Sequence, residues 1–159
     1  MKTCVFPGSF DPVTKGHLDL ITRAAKLFDR VTVTVMVNRA KNGRFSPETR
    51  VQLLEKACAE LDNVVIDRWD GLLADYMRAH GERCVIRGVR TASEYESESL
   101  SAAANAMLNP DIETLLIFAS PGMSSISSSA VREIASFGGD IRPFVPENTA
   151  DEITAHLKN

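Results

Sequence analysis

The 159-residue chain has no apolar run approaching the roughly 18 residues that cross a bilayer, which excludes a helical membrane span. Cysteine is scarce: Cys4, Cys58 and Cys84 are odd in number and far apart. No pair of them has zinc-ligand spacing and each lies in an apolar stretch, so they read as small buried hydrophobes. There is no basic excess either. Eighteen Lys and Arg stand against 21 Asp and Glu, a net charge of −3, and the basic residues are not interleaved with aromatic ones. That argues against a dedicated nucleic-acid binder, but it leaves room for a local cation cluster around a small anion. The start, Lys2 into Thr3-Cys4-Val5-Phe6, lacks a signal-peptide layout, so a cytoplasmic protein with no membrane partner is expected. Three motifs are missing as well. Without G-x-x-x-x-G-K-[ST] or G-x-G-x-x-G, P-loop and dinucleotide-dehydrogenase readings lose their main support. Gly122-Met123-Ser124 lacks the second glycine of a nucleophile elbow, which disfavours a serine hydrolase.

What is present is an alternation of strands and helices, of a length that suits one domain over 1–159. Thr3–Phe6, Val31–Val37, Val64–Asp67, Cys84–Ile86 and Leu115–Phe118 read as strands, the second from its alternation of valines with Thr32, Thr34 and Met36. Helices are expected over His17–Phe28, from Ser46-Pro47-Glu48 onward, and over Leu72–His80, Ser93–Leu108, Ser129–Ser136 and Glu147–Leu157. In the second helix Ser46 is the expected N-cap, Pro47 suits the first turn, and Val51, Leu54, Cys58 and Leu61 form the expected buried stripe. The alternation implies an α/β fold, a doubly wound five-stranded parallel sheet with helices on both faces. In such sheets ligands sit outside the carboxyl ends of the strands, which directs attention to the loops after Phe6, Val37, Ile86 and Phe118.

Each of those loops carries anion-binding chemistry. In the first, Gly8 permits a turn that a side chain would obstruct, and Gly16 and His17 stand at a helix entry, where free N–H groups and the dipole favour an anion. A histidine there can reach a phosphate oxygen that gains charge during reaction. In the third, Arg87-Gly88-Val89-Arg90 places two forked guanidinium groups where they can clamp a phosphate, and Glu98 is the preferred ligand contact of the acidic stretch that follows. In the fourth, Met123-Ser124-Ser125-Ile126-Ser127-Ser128-Ser129 supplies hydroxyls and backbone N–H groups at a helix start, a second anion cradle. Lys41, in the basic loop after the second strand, is a flexible ammonium that could meet a phosphate.

Thr14-Lys15-Gly16-His17 and Ile126-Ser127-Ser128-Ser129 resemble the [T/H]-x-G-H and I-S-S-S/T signatures of the nucleotidylyltransferases. Pro7-Gly8-Ser9-Phe10-Asp11-Pro12, the Arg87–Arg90 box and Pro146-Glu147-Asn148, in this order, narrow the resemblance to the bacterial phosphopantetheine adenylyltransferase family. The resemblance implies a Rossmann-like nucleotidylyltransferase fold and adenylyl transfer from ATP to 4′-phosphopantetheine. The implied products are dephospho-coenzyme A and pyrophosphate, a step of coenzyme A biosynthesis. It implies Mg²⁺, a homohexamer and feedback inhibition by coenzyme A. By position it implies catalytic roles for His17, Lys41 and Arg90 and acceptor contacts for Ser9, Lys41, Leu73 and Arg87. ATP contacts are implied for Ser9, Phe10, His17, Gly88, Val89, Arg90, Glu98, Met123, Ser124, Ser125, Ile126, Ser127, Ser128 and Ser129. Ser9 stands where a threonine is frequent, which keeps the hydroxyl. Two alternatives stay open: a sister nucleotidylyltransferase with another phosphate acceptor, and a non-catalytic sensor of nucleotide or coenzyme A.

Overall fold

The computed structural model describes residues 1–38, 40 and 42–158. Strand and helix alternate along them: β1 (Thr3–Gly8), α1 (Lys15–Ala25), β2 (Arg30–Val37), α2 (Pro47–Ala57), β3 (Val64–Asp70), α3 (Leu73–His80), β4 (Cys84–Val89), α4 (Ala92–Leu108), β5 (Glu113–Phe118) and α5 (Ser128–Ser136). A 3₁₀ turn at Glu147–Thr149 then leads into α6 (Ala150–Lys158). The strands form one parallel sheet in the order β3-β2-β1-β4-β5. The chain winds outward from β1 through β2 to β3, returns to β4 beside β1, and winds outward the other way. That reversal opens a crevice at the carboxyl ends of β1 and β4.

Alternation along β1 feeds two cores. Cys4 and Phe6 join a large cluster with Leu20 and Ile21 of α1, Leu53 and Leu54 of α2, Val131 of α5 and Ile153 of α6. Val5 points the other way, into a smaller cluster with Ala74, Tyr76 and Met77 of α3. With both faces covered, β2 is buried along most of its length. Thr32 and Thr34, which the sequence pattern would leave half-exposed, are buried with the valines beside them. Cys4 and Cys58 are buried free thiols, and burial pushes their pKa up to about 12 and about 11.

Several boundaries depart from the sequence reading, each for a tertiary reason. β1 runs on to Gly8, and β4 runs on to Val89, because pairing with the neighbouring strands continues that far. Arg87 and Gly88 are therefore strand residues rather than loop residues. The buried face of α2 is Arg50, Leu53 and Leu54, while Val51 and Leu61 are only partly covered. Arg50 turns that face inward: its side chain is 9% exposed and lies 3.4 Å from the carboxylate of Asp11. α5 begins at Ser128, one residue early, because Ser127 caps it. Along α4 no residue is buried, leaving Leu100 74% and Met107 86% exposed, and Phe118 on edge strand β5 is 73% exposed. Among the described residues, no helix is long and apolar enough to cross a membrane.

Candidate active site

Two adjoining cavities occupy the crevice. One of about 360 Å³ lies over the start of α1 and the β5–α5 loop. The other, of about 300 Å³, lies toward β2, α3 and α4. Pro7, Gly8, Ser9, Arg87 and Glu98 line both, so β1 and β4 form the partition between two compartments that meet.

Two glycines make this approach possible. A Cβ on Gly8 would meet the Phe10 ring at 2.9 Å, and one on Gly88 would meet Leu20 Cδ1 at 2.2 Å. The absence of side chains lets Phe10 fold back over β1 and lets α1 cross β4 closely. Phe10 itself has a φ of 47°, in the left-handed region, and its buried ring packs edge-on against His17 at 5.0 Å between centroids.

His17 is the third residue of α1 and completes a capping box. Thr14 Oγ1 accepts from the His17 backbone N–H at 3.3 Å, and His17 Nδ1 accepts from the Thr14 backbone N–H at 3.1 Å. A backbone N–H can only donate, so Nδ1 is unprotonated and the neutral ring carries its proton on Nε2. The residue is half-buried and lines the first cavity. Burial, and then the guanidinium charges of Arg90 and Arg87, lower its pKa from 6.5 to about 4. At neutral pH His17 is an uncharged N–H donor.

Both arginines are more committed than a free phosphate clamp. Arg87 donates Nε and Nη2 to Glu98, at 2.8 and 2.7 Å, and Nη1 to the Pro7 carbonyl. Arg90 donates Nε and Nη2 to Glu94, and Nη1 to the Ile126 carbonyl at 2.7 Å. Burial raises the affinity of Glu94 for a proton, but the bonds from Arg90 outweigh it and hold the carboxyl below its usual range. Each guanidinium carries five N–H groups and spends three here, so each retains two for a ligand. The carboxylates aim the forks and cancel part of their charge.

The serine cluster is likewise partly spent. Ser127 Oγ accepts from Ala130 N as the α5 cap, Ser128 Oγ donates to the Pro12 carbonyl at 2.7 Å, and Ser129 Oγ accepts from Arg132 Nη2 at 3.2 Å. What remains for an anion is the N–H groups of the first turn of α5 and the hydroxyl protons of Ser127 and Ser129.

Of the residues singled out from the sequence, Ser9, Phe10, His17, Gly88, Arg90, Glu98, Met123, Ile126 and Ser127–Ser129 line the first cavity. Ser9, Leu73 and Arg87 line the second. Val89, Ser124 and Ser125 line neither. Val89 is buried in β4, and Ser124 and Ser125 sit at the exposed outer bend of their loop. Glu98, expected as a nucleotide contact, is the carboxylate partner of Arg87 and lines both compartments. Lys41 lies outside the described residues.

The sequence reading missed three contributors. Glu94 pairs with Arg90 at i,i+4, a spacing visible in the sequence. Arg132 lines the first cavity, one turn beyond Ser129. Asp11 accepts from the backbone N–H groups of Arg44 and Phe45 at 2.9 and 2.8 Å and is paired with Arg50 and Arg132. It thereby ties the first loop to the segment after β2. Nothing local to Asp11 in the sequence signals those partners, which lie 33 or more residues away.

A cytidylyltransferase-like family model matches residues 5–134. A phosphopantetheine adenylyltransferase of Clostridium perfringens is 43% identical over 159 residues, covering 100% of this chain and 97% of its own length. One from Rubrobacter xylanophilus is 46% identical over 153 residues, covering 96% of this chain and 93% of its own. Among solved structures, a bifunctional NMN adenylyltransferase/ADP ribose pyrophosphatase from Francisella tularensis superposes with a TM-score of 0.75 at 19% identity, over 100% of this chain and 51% of that one. A second structure of it, complexed with AMP and a manganese ion, gives 0.73 at 19% identity over 100% and 50%. At that identity the likeness is one of fold.

Proposed function

The chain belongs to the cytidylyltransferase-like family and, within it, to the phosphopantetheine adenylyltransferases, and from that premise we propose that it transfers the adenylyl group of ATP to 4′-phosphopantetheine, forming dephospho-coenzyme A and pyrophosphate. The observation that carries the assignment is the pair of compartments meeting at Ser9 and Arg87, one for each substrate. The first, between the helix starts of α1 and α5, suits a triphosphate. The second is bounded by the apolar side chains of Met36, Leu73 and Val85 together with Asn105, which suits an extended arm with both apolar and amide character.

No protein nucleophile is needed. The acceptor phosphate attacks the α-phosphorus in line and pyrophosphate leaves, so catalysis consists of positioning and charge stabilisation. His17 donates Nε2–H to the α-phosphate as its oxygens gain charge. The free N–H groups of Arg90 and the first turn of α5 hold the β- and γ-phosphates. Arg87 aligns the acceptor phosphate across the partition, with Ser9 between the two substrates, and Lys41 is assigned to the same phosphate from its place in the sequence. Among the described residues no cluster of three or more carboxylate, histidine or cysteine groups could hold a metal. The donor set of hydroxyls, backbone N–H groups and guanidinium groups fits an ion carried on the triphosphate itself. Mg²⁺ carried there would supply neutralisation of the triphosphate's charge, with the residues of the first cavity holding the phosphates themselves.

The whole chain 1–159 acts as one nucleotidyltransferase domain in the cytoplasm. The exposed apolar side chains of Leu100, Met107 and Phe118 support self-assembly into a hexamer. Coenzyme A, which shares the pantetheine arm, competes for the second compartment as a feedback inhibitor. The test is pyrophosphate release from ATP with a panel of acceptors: 4′-phosphopantetheine, nicotinate mononucleotide and glycerol 3-phosphate. Turnover with the first alone is the expected outcome. Turnover only with another acceptor would make the chain a sister enzyme, and ATP binding without turnover on any acceptor would make it a sensor.

A further inference from the structure

The β5–α5 loop gives Ala119, Met123, Ile126 and Ser127 to the first cavity's wall, yet it has no regular structure between Ala119 and Ser127. Its internal bonds are two turns: Met123 N–H to the Ser120 carbonyl at 2.9 Å and Ile126 N–H to the Met123 carbonyl at 3.1 Å. Two such turns set the loop's own shape but not its place relative to the sheet. At its far end Arg90 holds the Ile126 carbonyl from inside the cavity. At its near end lies a group of side chains outside the cavity. Arg23 Nη1 donates to the Phe118 carbonyl at 2.7 Å, the last residue of β5, and lies 3.3 Å from Ser120 Oγ. Ser120 Oγ donates to Asp19 Oδ1 at 3.0 Å, and Asp19 Oδ2 pairs with the same Arg23 nitrogen at 3.3 Å. The three side chains close a ring, and none of them lines the cavity.

We propose that Asp19, Arg23 and Ser120 form a clasp that positions the β5–α5 loop against α1 and so sets the shape of the nucleotide compartment. They are positioning residues, since they touch neither substrate. The physical case rests on where the ring sits. Pairing of β5 with β4 ends at the bond from Ala119 N–H to the Val89 carbonyl, so Ser120 is the first residue free to swing. Asp19 and Arg23 are one helical turn apart and present a matched pair at that pivot. α1 carries His17 at its first turn, so the clasp fixes the loop to the same rigid element that holds the α-phosphate donor. Charge-assisted bonds in a closed ring restrict the pivot more than a lone hydroxyl contact could.

The clasp rests on the reading of the first cavity as the ATP site, and its test is kept separate from turnover. ATP alone is titrated calorimetrically into the full chain and into R23M, S120A and S120T. In R23M and S120A the dissociation constant for ATP should rise roughly tenfold, the scale of one lost hydrogen bond to a charged group. The dissociation constant for 4′-phosphopantetheine, titrated in the same way, should stay within about twofold, because the second compartment has no wall on this loop. S120T keeps the hydroxyl and should bind ATP like the wild type. S120A leaves the Asp19–Arg23 pair intact and guards against misfolding, which thermal melts check directly. Unchanged ATP affinity in both R23M and S120A, equal weakening of both substrates, or S120T behaving like S120A would each overturn the clasp. A wild-type chain that binds ATP but releases no pyrophosphate with 4′-phosphopantetheine would refute the proposed activity while leaving the clasp to be read from the ATP titrations. A wild-type chain that binds no ATP would overturn both.

Discussion

The neutral state of His17 can be tested without any assay of turnover. Burial, with the charges of Arg90 and Arg87, depresses its pKa from 6.5 to about 4 in the folded chain. Between those values the unfolded chain binds a proton that the folded chain refuses, so acidification through that window favours unfolding. Above the unfolded value the term vanishes, and below about pH 4 it levels off. Integrating the two titrations between about pH 7.5 and 5 gives a loss of about 2 kcal/mol from this one group. The comparison protein is His17→Gln. Glutamine at the third helical position can still accept from the Thr14 N–H, which preserves the capping box while removing the titration. Urea unfolding of both proteins across that range should show the gap between wild type and variant shifting by about 2 kcal/mol against the wild type on acidification. All other groups titrate in both and cancel. A gap that stays constant with pH would refute the reasoning, since it would mean that His17 is free to charge in the folded state. The same variant should turn over roughly 10²–10³ more slowly, with ATP affinity little changed, as the role proposed for the ring Nε2–H during transfer requires.

Arg87→Ala should raise the KM for 4′-phosphopantetheine at least about tenfold and leave ATP binding nearly unchanged if Arg87 aligns the acceptor phosphate as proposed; steady-state kinetics with each substrate varied in turn will show whether ATP suffers instead. Gly88→Ala places a Cβ 2.2 Å from Leu20 Cδ1 and should destabilise the fold. The cost should be about 1–3 kcal/mol by urea denaturation, because the buried Leu20 side chain must leave its place in the core. Asp11→Ala strands the buried guanidinium of Arg50 and two backbone N–H groups, and should cost about 3–5 kcal/mol in the same measurement. If Asp11→Ala melted like the wild type, the hub between the first loop and the segment after β2 would carry no weight.

Much of this was legible in the sequence because it is encoded locally. The valine alternation of β2, the Ser46-Pro47 entry to α2, Gly81 at the end of α3 and the Thr14-Lys15-Gly16-His17 helix start are each decided within a few residues by dihedral preference, capping and periodicity. From that alternation follow the parallel sheet and the edge at which the phosphate-binding loops gather. What the sequence could not determine is how each side chain's bonding capacity is divided, since the partners come from distant segments. Arg87 and Arg90 look like a free clamp in one dimension; Glu94 stands only four residues from Arg90, but it takes the folding of α4 back over β4 to bring Glu98 onto Arg87. The serine run looks like a row of equal donors, whereas Ser127 is spent locally as the α5 cap and packing against the first loop turns Ser128 toward the Pro12 carbonyl. His17 looks like an ordinary imidazole that would charge just below neutrality, and burial with the charges of Arg90 and Arg87 lowers its pKa to about 4. The sequence by itself determined which groups stand at the sheet's edge. The tertiary structure decided which of their protons and lone pairs remain for a ligand, because desolvation and long-range pairing have no local signature.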